Sequence, residues 1–166
     1  MKTISITSFI LIIFIFGCAT TGTVPPKTQL QIREFQTRTF ETNDIKMVMK
    51  ALLNVLQDEG FIVKHASVEL GLLNATKEVD IENKGEAVLL ILLVGADARW
   101  KKNSIIECTG NVSEFGNQMR VRVNFQMKVM DNRGNVIKVG QIEDAKYYQD
   151  FFSKVDKGVF IQKEKL

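Results

Sequence analysis

Few side chains in this sequence have the types and spacing to do chemistry. There are two cysteines, Cys18 and Cys108, and one histidine, His65. Carboxylates alternate at Glu78, Asp80 and Glu82, and an Asp131-Asn132-Arg133-Gly134-Asn135 stretch looks loop-like. His65 has no cysteine or histidine at ligand spacing, so zinc has little support. The 131–135 stretch is shorter than a calcium-binding EF-hand loop and lacks its closing glutamate. The three alternating carboxylates, with Lys77 and Lys84 among them, read as a solvated strand end rather than an acid–base pair. Cys108 shares an alternating face with Ile106 and Val112 and reads as a buried, inert thiol. Nucleophile-elbow, phosphate-loop and dinucleotide fingerprints are absent from the sequence. The expectation is a protein that is not an enzyme, with no catalytic residues, metal or cofactor.

Cys18 differs from the rest because of where it stands. Lys2 is followed by thirteen uncharged residues, 4–16, which is too short for a membrane span of roughly 20 residues. Such a run is the length of a signal-peptide core. After the cysteine come Thr20, Thr21, Gly22, Thr23, Pro25 and Pro26, a composition suited to a tether.

Ile15-Phe16-Gly17-Cys18 resembles the bacterial lipobox. The resemblance implies that residues 1–17 are a lipoprotein signal peptide, removed before Cys18. Cys18 then carries a diacylglyceryl group on sulfur and an acyl chain such as palmitate on its new amine. Two or three acyl chains, each buried CH₂ contributing ~0.8 kcal/mol, hold a protein stably on a bilayer. Ala19, being non-acidic, implies the periplasmic face of the outer membrane under the sorting logic of enteric-type bacteria. Phe16 departs from the motif. An ordinary signal peptide cut after Ala19 and an uncleaved short anchor therefore stay open as alternatives.

The second unusual stretch is an apolar insertion at about 84–102. Seven consecutive aliphatic residues, 88–94, include Leu89, Leu90, Leu92 and Leu93, and periodicity cannot assign them to strand or helix. Arg99-Trp100-Lys101-Lys102 follows. Trp favours the headgroup level and lysines favour anionic lipid, so Leu89, Leu90, Leu92, Leu93, Trp100, Lys101 and Lys102 are a possible membrane or partner contact. The competing reading is a core element covering the sheet.

Charge narrows the partners. Losing residues 1–17 removes Lys2 alone and lowers the net charge of +3 by one, too mild a balance for nucleic acid. Arg120, Arg122 and Lys128 share one strand face, read as a solvent face or as a contact for an anionic partner.

The elements that position these residues follow from hydrophobic period. Residues 18–28 read as lipidated N-terminus and tether, and 29–166 as a single domain. Leu30 and Ile32 open a strand over about 29–40, with a bulge near Glu34-Phe35. Asp44 caps a helix whose stripe is Ile45, Val48, Met49, Leu52, Val55 and Leu56, ended by Gly60. Strands follow over 61–66, 72–79, 104–115, 119–130 and 136–141. Met119, Val121, Val123, Phe125, Met127 and Val129 give the clearest alternation. Tyr148, Phe151, Phe152, Val155 and Val159 mark a last helix. The expected fold is α+β: a mostly antiparallel sheet of five to six strands on two amphipathic helices, helix-grip-like.

Four segments, REFQTRTFET, LQDEGF, GLLNATKE and YYQDFFSKVDKGVF, are similar to small uncharacterised bacterial lipoproteins. The order of elements also resembles, in topology alone, the helix-grip domains of accessory lipoproteins in outer-membrane barrel assembly. The resemblances imply a non-enzymatic, membrane-anchored accessory or scaffold subunit of an envelope complex, with an envelope protein as partner. The alternative is a periplasmic module binding a lipid or other hydrophobic ligand between helices and sheet.

Overall fold

The computed structural model describes residues 27–82, 84 and 98–164. The expectations for residues 1–26, Cys18 included, and for the aliphatic run with Leu89, Leu90, Leu92 and Leu93 lie outside those residues.

The first element corrects an expectation. Gln29–Phe35 is a helix, α1, and only Thr37–Phe40 is a strand, β1. Thr28 and Gln31 form a capping box: Thr28 Oγ1 accepts from Gln31 N at 3.4 Å, and Gln31 Oε1 accepts from Thr28 N at 2.8 Å. Ile32 and Phe35, three residues apart, then face inward together. Ile32 is buried, and the Phe35 ring lies 5.1 Å from that of Tyr148. The irregular phase around Glu34-Phe35 marks the end of a helix, not a bulge.

Ile45–Asp58 forms α2, and its cap is the expected one, with Asp44 Oδ1 accepting from Met47 N at 3.0 Å. Val48, Met49, Leu52, Val55 and Leu56 are all buried. Gly60 adopts φ +82°, and Phe61 N donates back to Leu56 O at 2.8 Å, closing the helix.

Strands β2 (Ile62–Ser67), β3 (Leu72–Asp80), β4 (Lys101–Phe115), β5 (Gln118–Asp131) and β6 (Val136–Gln141) complete one antiparallel sheet of six. The order is β1-β5-β4-β3-β2, and β6 pairs with β5 beyond the end of β1. β4 starts at Lys101, opposite Asp131, so the last residues of the expected insertion belong to the sheet.

Ala145–Glu164 forms α3, whose Tyr148, Phe151, Phe152, Val155 and Val159 are buried as the spacing requires. These side chains and the α2 stripe cover the sheet face that carries Ala75, Cys108, Val112, Val121, Val123 and Phe125. Phe125 sits among rings, with Tyr147 at 5.0 Å, Phe151 at 5.2 Å and Tyr148 at 5.5 Å. Gly158 weakens α3 locally, yet it is where α3 meets α2. A Cβ there would lie 3.3 Å from Ala51 Cβ. Among the described residues the protein is an α+β domain, with a six-stranded antiparallel sheet and the three helices α1, α2 and α3.

Candidate functional site

The side chains singled out for chemistry occupy structural positions. Cys108 is fully buried opposite Phe125, and desolvation pushes its thiol up to about 12. It is therefore protonated at neutral pH and a poor nucleophile. His65 is exposed on β2, opposite Asn74 and beside a register shift.

The three alternating carboxylates work separately. Glu78 accepts from Asn103 Nδ2 at 2.7 Å, Asp80 from Glu82 N at 2.9 Å, and Glu82 from Trp100 Nε1 at 2.8 Å. Glu78 and Glu82 fasten the end of β3 to the start of β4, while Asp80 holds the chain just past β3. Asp131 shapes the β5–β6 hairpin, accepting from Arg133 N at 2.9 Å and Asn135 N at 2.8 Å. Hydrogen bonds, first that from the Asn135 side chain, hold its carboxyl below the usual range. Among the described residues, no three His, Cys, Asp or Glu side chains gather as a metal site.

The Arg120, Arg122 and Lys128 face is partly neutralised within the sheet. Lys128 Nζ lies 2.6 Å from Glu107 Oε1, and the Arg120 guanidinium covers the Phe115 ring at 4.9 Å. Exposed pairs of this kind contribute little to stability.

One end of the sheet has a different character. Trp100, Lys101 and Lys102 enter β4 beside the β5–β6 hairpin. Asn132 N donates to Trp100 O at 3.1 Å, and Asn132 Nδ2 to Ala98 O at 3.2 Å. Ile81 N donates to Lys102 O at 2.9 Å. Trp100 is half-buried while Lys101 and Lys102 are exposed. Across β5 from them runs β6, which only β5 borders among the described residues. Val136, Ile137 and Val139 are 54%, 51% and 51% exposed, and Lys138 between them is exposed too. A row of aliphatics this open on an edge strand is uncommon in a soluble protein. Sequence reading picks out Trp100, Lys101 and Lys102 but passes over β6. The available signal is that its run, Val136-Ile137-Lys138-Val139, lacks a polar alternate face.

The hollows of the described surface include two open grooves and a narrower one of about 210 Å³ beside α3, between Phe61, Tyr147 and Phe151. One of about 490 Å³ is lined by His65, Ser67, Leu72, Asn74 and Thr109, and one of about 360 Å³ lies between Asn54, Asp58, Lys154 and Lys157. Beneath α3 the space is filled: Tyr148, Phe152 and Val155 are fully buried against Phe125 and Val123. No protein-family model matches the chain, and no curated protein matches it significantly in sequence.

Proposed function

We propose that the chain is a lipid-anchored lipoprotein of the bacterial outer membrane, acting on the periplasmic face as a non-enzymatic accessory or scaffold subunit of an envelope complex. The observation that carries this reading is the filled core. A carrier of apolar ligands needs a hollow between helices and sheet. Here the rings of α3 occupy that position, with Tyr148 and Phe152 buried on the sheet. The apolar side chains left open lie outside the core, and Val136, Ile137 and Val139 bring three of them together on β6, as a docking protein requires. Cys18 supplies the anchor in this reading.

The test is affinity capture of the acylated protein from detergent-solubilised membranes, followed by protein and lipid mass spectrometry. A reproducible envelope protein in near-stoichiometric amount is the expected result. A stoichiometric lipid with no protein partner overturns the scaffold reading in favour of the carrier. In parallel, Cys18→Ala should accumulate as an unprocessed precursor without palmitate labelling. Normal processing of that variant would mean an ordinary signal peptide.

A further inference from the structure

We propose that the β6 side of the Trp100 end of the sheet docks on an anionic phospholipid surface. The inference rests on the reading of Cys18 as the lipid attachment and names what the anchored domain faces.

Three observations bear on this surface. Val136, Ile137 and Val139 expose about half of their surface along an edge strand. Lys138 lies within the same strand, and Lys101 and Lys102 lie across β5 at the same end of the sheet; all three are exposed, and none has a carboxylate partner among the described residues. Aliphatics flanked by free ammonium groups match a bilayer interface, where side chains enter the acyl boundary and cations meet phosphate.

The third observation is where the described chain begins. Lys27 Nζ donates to Glu143 O, two residues beyond the end of β6. Eight residues, 19–26, separate Lys27 from Cys18. Fully extended they span about 28 Å. The tether therefore starts at the Gln141 end of β6, about 17 Å of strand from Val136, and a bilayer at the apolar row is within its reach. A protein strand adding to the β6 edge is the competing occupant. Lys138 in the middle of that edge is of the kind that discourages such pairing.

Trp100 is the only tryptophan in the chain and a native reporter of this end. The full-length protein, expressed and purified from membranes, is reconstituted into vesicles of brominated phosphatidylcholine with or without phosphatidylglycerol. Its intact mass is measured first. Docking predicts quenching of Trp100 emission in the anionic vesicles, relieved by high salt. Lys101→Gln/Lys102→Gln/Lys138→Gln should lower the ratio of docked to undocked protein by on the order of a hundredfold. Val136→Ser/Val139→Ser, on the exposed face, should weaken it while leaving the near-UV dichroism of the core unchanged. Acylated protein with unquenched Trp100, or quenching indifferent to lipid charge, overturns the docking proposal and leaves the anchor intact. An unacylated mass with charge-dependent quenching does the reverse.

Discussion

The hydroxyl oxygen of Tyr148 lies 3.1 Å from the backbone nitrogen of Phe125, at the break between β1 and β6 along the edge of β5. Val123 N, just before the break, donates to Gln36 O at 2.9 Å, and Ile142 N donates to Phe125 O at 2.9 Å just after it. A side chain from α3 thus completes the hydrogen bonding of a sheet edge that two short strands leave incomplete. Tyr148→Phe keeps the ring and removes the acceptor, leaving a buried N–H unpaired. The expected loss is about 1–3 kcal/mol, read from urea unfolding. A variant as stable as the parent would mean that the hydroxyl is dispensable to the seam.

Gly71 makes the β2–β3 turn at φ +62°, and Val112 N donates to its carbonyl at 2.7 Å. A Cβ at this position would stand 2.0 Å from Val112 O. Gly71→Ala therefore combines a disfavoured backbone region with a backbone clash. A loss of about 2–3 kcal/mol is expected in thermal or urea melts. Unchanged stability would show that the turn relaxes freely.

Cys108 should be silent to thiol reagents in the folded protein. In the Cys18→Ala chain it is the only thiol. Burial raises its pKa to about 12, so both access and thiolate are lacking at pH 8. Labelling with a chromogenic disulfide should be slow in buffer and complete in denaturant. Rapid native labelling would contradict the burial.

Asp131 gives the stability an acid limb. Its carboxyl titrates below the ordinary 3.8 in the folded protein because Asn135 and two backbone N–H groups bond the ionised form. The folded state thus favours the charged form. This contribution is present in full above the ordinary value and lost as pH falls through the lowered one. Asp131→Asn should be less stable at neutral pH and show a shallower decline on acidification. Parallel stability–pH curves for the two proteins would exclude the mechanism.

Local patterns read well where one element buries one face. The α2 stripe from Val48 to Leu56, the alternation of Met119 to Phe125 on β5 and the five α3 residues are all buried as their spacing demands, while Ile45 at the start of the stripe is only partly covered. α1 escaped because Leu30 and Ile32 alternate like a strand, while the capping box at Thr28 and Gln31 is only a two-residue signal. The third partner of β5 is equally hidden, since nothing local in Thr37–Phe40 says that it pairs with Arg122 to Met119. At the candidate docking end, Trp100, Lys101 and Lys102 are conspicuous by type. The exposure of Val136, Ile137 and Val139 depends on β6 being an edge, which is a property of topology.

The pairing of β1 with β5 also has a temporal consequence. Phe40 meets Met119 across almost half of the chain. At about 5–20 residues per second, synthesis exposes the first strand for roughly 4–16 s before its partner exists. Pairing across such separations is slow even in the finished chain, with folding on a scale of milliseconds to seconds. β1 thus stays unpaired while the first half of the nascent chain is already available. The sheet can close around β5 only once the second half of the chain has been made, so anything that acts on the unclosed chain has those seconds in which to do so.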